Sequence, residues 1–180
     1  MKEYILEVRK IISPEICKKI INYFDNNYND ASTTGGMNKN VRNCLTRSIL
    51  DTKTFGEQLC CNFVKQKIHD CVVHYKKKFE LNIDRISQLD ILKYESNSYS
   101  AGYTFHTDFG LNCSERHLSI SICLNNEYEG GEFVFNLSNG EHIAPQNIGD
   151  AVIFPSNFMF PHQVNKVTNG TRYALIGWVV

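Results

Sequence analysis

The feature that most constrains the fold is a change of hydrophobic period near Ile86. Before it, apolar residues recur at helical spacing in two places. After it, short segments rich in Ile, Leu, Val, Phe and Tyr alternate with Gly, Asn and Ser clusters, giving candidate strands at 86–95, 102–106, 117–125, 131–136, 150–154, 158–166 and 171–180. Many short strands at this spacing, with no helical segment between them, indicate a β-sandwich or jelly roll and argue against a parallel α/β sheet.

The first half reads as support for that β region. Residues 5–12 are apolar-rich and predict a strand. Ser13-Pro14-Glu15 is a helix start, with an N-cap residue, a proline at the first helical position and an acid near the positive dipole end; that helix is expected to reach Tyr28. Residues 29–40 read as a loop and 41–50 as a strand. Phe55, Leu59, Phe63, Ile68, Val72, Tyr75 and Phe79 mark an amphipathic helix over 54–79, closed by Lys76-Lys77-Lys78, which suits the negative end of its dipole. The expected architecture is mainly β: two helices packed on one sheet, in a single domain over 1–180, with helical support at 1–85 and a jelly-roll core at 86–180.

Composition narrows the partners. The 180 residues carry 19 basic and 19 acidic side chains, a formal net charge of zero. That balance argues against a general nucleic-acid binder and against a protein that relies on anionic lipid. A chain of this length buries roughly 70% of its unfolded surface and needs no disulfide or structural metal to fold. The start MKEYILEVRKII breaks each apolar stretch with a charge before a signal h-region is reached, and no apolar run is long enough for a transmembrane helix. Seven cysteines cannot all pair internally. These features predict a cytoplasmic protein with free thiols and leave its oligomeric state open.

Three pieces carry the chemistry: Tyr103-Thr104-Phe105-His106-Thr107-Asp108, Phe160-Pro161-His162-Gln163-Val164 and Gly170-Thr171-Arg172-Tyr173 followed by Trp178. A His-x-Asp pair alone is uninformative. At a strand end, however, residues two apart point the same way, so His106 and Asp108 could converge on one ion, with His162 as a second imidazole. Two histidines and one carboxylate form the facial triad of non-haem Fe(II) oxygenases, which leaves three coordination positions open; a structural zinc site would close them with a fourth protein ligand.

With Arg116-His117-Leu118-Ser119, Leu124-Asn125, Gly130-Gly131-Glu132-Phe133 and Gly149-Asp150-Ala151-Val152-Ile153-Phe154-Pro155-Ser156 in the same order, residues 88–180 resemble the 2-oxoglutarate- and Fe(II)-dependent dioxygenases, in their prolyl 4-hydroxylase-like branch. The resemblance implies that His106, Asp108 and His162 hold Fe(II), that 2-oxoglutarate chelates the metal, and that Arg172 pairs with its distal carboxylate. It implies Tyr94 and Ser119 as further co-substrate contacts and Tyr103 and Trp178 as substrate walls. Where Cys123 stands, some relatives have a tyrosine. O2 is the second co-substrate and ascorbate a candidate accessory reductant. The implied substrate is a proline-containing peptide or protein, hydroxylated with release of succinate and CO2. Segments 29–40 and 96–105 are candidate lids.

Other readings stay open. The same chemistry could act on a free amino acid, another side chain or a nucleobase; the fold could be a non-catalytic jelly-roll binding module, or a cupin-like metalloprotein that takes no 2-oxoglutarate. Elsewhere, Cys71 with His74 and the adjacent Cys60-Cys61 read as structural, His117 as a strand histidine, and His69 and His142 have no supporting context.

Overall fold

The structure, a computed structural model, describes residues 1–33, 35–83, 85–96 and 101–180. Among them are two α-helices, α1 (Pro14–Phe24) and α2 (Phe55–Phe79), and thirteen strands. The strands are β1 (Leu6–Val8), β2 (Asn29–Asp30), β3 (Arg42–Asn43), β4 (Leu45–Ser48), β5 (Ile86–Glu95), β6 (Gly102–His106), β7 (Leu118–Cys123), β8 (Tyr128–Gly130), β9 (Phe133–Leu137), β10 (Gly140–Ile143), β11 (Ala151–Pro155), β12 (His162–Val164) and β13 (Val167–Val179). They form two antiparallel sheets. The major sheet runs β1-β11-β7-β13-β5-β4-β2, with β8 also paired to β13; the minor sheet runs β10-β9-β12-β6-β3. This is the expected mainly-β jelly roll.

Strand parity sorts the core into two layers. Leu89 and Ile91 on β5, Ile120 and Ile122 on β7, Ile153 on β11 and Leu175 on β13 face the helices. There they meet Cys17, Ile20 and Phe24 of α1 and Val64, Ile68, Val72 and Tyr75 of α2. The alternate residues Leu92, Tyr94, Phe154, Ile176 and Trp178 face the minor sheet and pack with Phe133, Phe135 and Val164. A sheet covered on both faces needs apolar side chains on both, which is why β13 is almost continuously buried from Ala174 onward.

The helix termini follow from side-chain chemistry. At the start of α2 the Thr54 hydroxyl accepts from the Glu57 amide while the Glu57 carboxylate accepts from the Thr54 amide, a complete capping box. Ser13 has the extended backbone of an N-cap, and Pro14 opens α1, but no side-chain cap bond forms there. α1 stops at Phe24, four residues before the predicted Tyr28. Asn27 takes a positive φ, and the buried Arg47 donates to the carbonyls of Tyr23 and Asn26, satisfying groups that a further turn would have used.

The predicted apolar stripe of α2 requires correction. Each residue advances about 100° around a helix, so the five-residue step from Phe63 to Ile68 turns the stripe by about 140°. Phe55, Leu59 and Phe63 are accordingly 77%, 54% and 37% exposed, and the buried seam is Glu57, Cys61, Val64, Ile68, Cys71, Val72 and Tyr75.

Other boundaries shift as well. Residues 5–12 keep only β1, after a 3-10 turn at Lys2–Tyr4. The predicted loop 29–40 begins with β2. The predicted strand 41–50 is split at Cys44, where the chain crosses from β3 in the minor sheet to β4 in the major sheet. The predicted strand 131–136 corresponds to β9, which starts after Gly130 and Gly131, both at positive φ, and β8 before them was not foreseen. β10 was not foreseen, and 158–166 shrinks to β12. The candidate lids fall partly on residues 34 and 97–100, outside the described residues. No described helix is long and apolar enough to cross a membrane, and all seven cysteines are free thiols.

Candidate active site

Two strand ends of the minor sheet bring the histidines together. His106 closes β6 and His162 opens β12, and these residues are cross-strand partners. The turn after β6 returns Asp108 to the same spot. One ligand atom from each of His106, Asp108 and His162 lies within 4.8 Å of the others; among the described residues this is the only such group of three. Asp108 Oδ1 is 3.9 Å from His106 Nε2, and Asp108 Oδ2 is 3.7 Å from His162 Nε2.

Hydrogen bonding presets these groups as ligands. His106 Nδ1 is 2.8 Å from the Thr104 carbonyl and His162 Nδ1 is 3.0 Å from the Phe160 carbonyl. A carbonyl can only accept, so each Nδ1 carries the proton and each Nε2 keeps a free lone pair directed at the cluster. Burial and the neighbouring His162 push His106 down to about 3, so its imidazole is neutral at physiological pH. Burial works against the Asp108 carboxylate, but His162, His106, the Ser119 hydroxyl and the Trp178 indole together hold it below the usual carboxylate range. The donor set is therefore two imidazoles and one carboxylate, which suits a divalent first-row metal with open positions.

The hydroxyl of Ser119 donates to Asp108 Oδ2 at 2.5 Å and contacts Ser156 Oγ at 2.8 Å. The sequence reading put Ser119 at the co-substrate carboxylate; its hydroxyl instead sits on the aspartate. Phe133, Phe135 and Phe154 enclose the His162 ring at centroid distances of 4.9–5.8 Å. Tyr103 stacks on His106 at 3.4 Å, and the Arg42 guanidinium lies over the same Tyr103 ring at 4.9 Å.

A cavity of about 430 Å³ opens from this cluster, within the ~300–1,000 Å³ typical of ligand pockets. Tyr94, Tyr103, Arg172 and Trp178 all line it. Arg172 is 3% exposed, its Nε has no hydrogen-bond partner, and it forms no ion pair among the described residues. A buried guanidinium without an anion costs free energy unless a ligand supplies one, so this atom fits a carboxylate-bearing co-substrate. Its guanidinium lies 5.4 Å from the Tyr94 ring, whose own hydroxyl is pushed well up by burial. Where the sequence has Cys123 the thiol donates to the carbonyls of Asn125 and Gln146, and the Tyr128 hydroxyl comes within 3.9 Å of it. Gly131 makes room for this corner: a Cβ there would meet Arg172 Cδ at 2.9 Å.

The sequence profile of the 2OG-Fe(II) oxygenase superfamily matches residues 90–180. The chain belongs to that superfamily. The cofactor set of the superfamily is Fe(II), 2-oxoglutarate and O2, and the His106, Asp108 and His162 cluster fits the iron. A PKHD-type hydroxylase of Psychrobacter is 40% identical over 87 residues, covering 43% of this chain and 33% of its own length. One of Idiomarina loihiensis is 27% identical over 180 residues, covering 97% of this chain and 77% of its own. The first match thus spans only about a third of that relative. Among solved structures, a Trichoplax adhaerens prolyl hydroxylase in complex with a hypoxia-inducible-factor peptide fragment superposes with a TM-score of 0.82 at 14% identity, covering 98% of this chain and 83% of that one. A Pseudomonas putida prolyl-4-hydroxylase gives 0.76 at 18% identity, covering 97% and 91%. At these identities the structural likeness concerns the fold.

Several site residues were not foreseen. Ser156 lies in a motif the sequence quoted without a role. Gln88 and Asp90 line the cavity from the face of β5 that carries Tyr94, and two-residue parity from Tyr94 would have found both. Thr46 and Arg42 also line it, but from the first half of the chain, where no motif pointed to them. The remaining histidines and cysteines stay apart from the cluster: His142 pairs with Glu7 at 2.9 Å, and Cys71 is buried while His74 is exposed.

Proposed function

We propose that this protein is an Fe(II)- and 2-oxoglutarate-dependent dioxygenase that hydroxylates a substrate C–H bond, with prolyl residues of a peptide or protein as the substrate class suggested by its prolyl-hydroxylase-like relatives. The observation that carries this reading is the pairing, across one cavity, of a ligand cluster with free Nε2 atoms and a buried arginine that lacks an anion. In this proposal His106, Asp108 and His162 hold the metal and Arg172 holds the distal carboxylate of 2-oxoglutarate. The bound pair supplies the oxidising chemistry: one oxygen atom of O2 goes to the substrate carbon and the other to succinate, with loss of CO2.

The chain's own residues do the rest. The Thr104 and Phe160 carbonyls fix the two imidazoles in their liganding tautomer. Ser119 orients the Asp108 carboxylate. Phe133, Phe135, Phe154 and Trp178 keep water from the buried side of the cluster, which strengthens its electrostatics. Tyr103 and Trp178 serve as substrate walls. Ascorbate would act as an accessory reductant that keeps the iron ferrous. The proposal includes a single domain over 1–180, with support at 1–85 and the jelly-roll core at 86–180, working in the cytoplasm, where its free thiols stay reduced.

The test is an anaerobic titration. Adding 2-oxoglutarate to the Fe(II)-loaded protein is expected to raise a weak visible charge-transfer band, and His106→Ala is expected to abolish it. No band in the wild type, or its persistence in the variant, overturns the assignment. A metalloprotein that takes no 2-oxoglutarate would bind iron without that response.

A further inference from the structure

The substrate side of the cavity carries a charge that a neutral prolyl ring does not explain. Asp90, in the middle of β5, is 7% exposed and turned into the cavity with Gln88, Leu92 and Tyr94. Its partner is the Gln88 amide, which donates to Oδ2 at 2.6 Å. Gln88 in turn accepts from Arg116 at 2.9 Å, and the Arg116 guanidinium is stacked on Trp178 at 3.8 Å. The side chains Gln88 and Arg116 are thus tied to each other and to the wall, while Asp90 lines the cavity with the Gln88 amide as its side-chain hydrogen-bond partner among the described residues. No Lys or Arg nitrogen lies within 4.0 Å of Asp90 among the described residues. Arg42 and Arg116 reach it only at longer range, and burial outweighs them, holding its carboxyl above the usual range. Two further polar atoms of the same wall are buried and unpartnered: Thr46 Oγ1, on the neighbouring strand β4, and Arg42 Nε. Buried polar groups are almost always paired, and three incompletely paired ones around one cavity mark where a ligand's polar atoms belong.

We propose that Asp90 is a specificity-determining residue that takes a protonated nitrogen of the substrate, so that the substrate is an ammonium-bearing compound rather than an internal prolyl residue. The proposal rests on the dioxygenase reading above and names its substrate class. A buried carboxylate is matched by a cationic donor, and the charge-assisted bond is the strong one. An internal prolyl residue has a tertiary amide nitrogen with no hydrogen to give. A free imino or amino acid, a peptide whose first residue carries the reacting carbon, and a lysyl side chain all present the required nitrogen. The flanking Arg42 and Arg116 would meet a carboxylate or carbonyl on the same substrate, which favours the free acid among these sources.

The protein loaded with Zn(II) and 2-oxoglutarate is titrated calorimetrically with four probes: free L-proline, free L-lysine, a peptide beginning with proline, and that peptide N-acetylated. At least one ammonium-bearing probe is expected to bind about tenfold or more tighter than the acetylated peptide, and Asp90→Asn is expected to erase that preference. Asparagine keeps the shape and the acceptor for Gln88, and the ranking of probes by the wild type stands even if the variant fails to fold. Equal or tighter binding of the acetylated peptide, no binding of any ammonium probe, or a preference that survives Asp90→Asn overturns the proposal. Failure of the underlying reading shows separately, as wild-type protein that binds no 2-oxoglutarate in the presence of metal.

Discussion

Ser119 offers the sharpest test of how the metal cluster is built. Its hydroxyl donates to a carboxylate oxygen of Asp108 at 2.5 Å, and both residues are buried. Ser119→Ala removes one hydrogen bond to a charged acceptor, a contribution of about 1.5–3 kcal/mol, and leaves the buried Ser156 hydroxyl without its 2.8 Å partner. At about 1.4 kcal/mol per tenfold change, that corresponds to metal affinity weakened by about 10- to 100-fold, the range also found when groups that orient metal ligands are removed from other sites. Ser156 reaches Asp108 only through Ser119, so Ser156→Ala is expected to lose about threefold at most. Competition with a chelator for Zn(II) or Co(II), on protein shown by circular dichroism to be folded, measures both variants. Affinity of Ser119→Ala within twofold of wild type, or an equal loss in Ser156→Ala, refutes the reasoning that the serine holds the aspartate in its liganding orientation.

Three further outcomes are expected. Arg172→Ala removes the cation of a buried pair, so 2-oxoglutarate affinity measured by calorimetry falls at least about 100-fold while metal affinity stays within a few-fold. Phe55→Ser, on the exposed ridge of α2, changes stability by about 0.5 kcal/mol or less, whereas Ile68→Ala in the buried seam costs about 2–5 kcal/mol; denaturant titration separates them. In the metal-free protein the unfolded chain binds more protons than the folded one between about pH 3 and 6.5 at His106, so its contribution to stability is complete above 6.5 and is lost as the pH falls toward 3. Asp108, held below the usual carboxylate range, loses its contribution only at more acid pH, so the melting temperature of the wild type is expected to drop between pH 7 and 4.5 more steeply than that of His106→Gln.

What the sequence disclosed and what it concealed divide along one physical line. Short-range periodicity showed the strands of 86–180, because a half-buried strand repeats every two residues and β7 does so cleanly, with Leu118, Ile120 and Ile122 against the helices and Ser119 and Ser121 toward the other sheet. The cluster was legible because its local motifs sit at strand ends. The apolar positions of α2 were visible, but their phase was not. Phe55, Leu59 and Phe63 make a regular i, i+4 ridge, yet the side turned inward is the one that carries Glu57 of the capping box. Arg47 shows the same limit. Nothing local to β4 says that it will end α1 and pair with Glu57 at the start of α2, yet that buried ion pair ties three elements together.

The same line runs through the cavity. Its metal end is built from residues close in sequence to recognisable motifs, whereas the wall proposed to receive the substrate is built from Arg42, Thr46, Gln88 and Asp90, on strands outside the conspicuous blocks. Metal and co-substrate impose fixed geometry on their ligands, so those residues occur in fixed spacing. A substrate wall answers only to the molecule it receives, and any strand that faces the cavity can supply it. Parity from Tyr94 is enough to place Asp90 on that wall, but only pairing in three dimensions shows that no Lys or Arg nitrogen among the described residues lies within 4.0 Å of it. A carboxylate buried at that position is costly in the absence of a ligand, so Asp90 is the residue at which the proposed preference for a protonated nitrogen stands or falls.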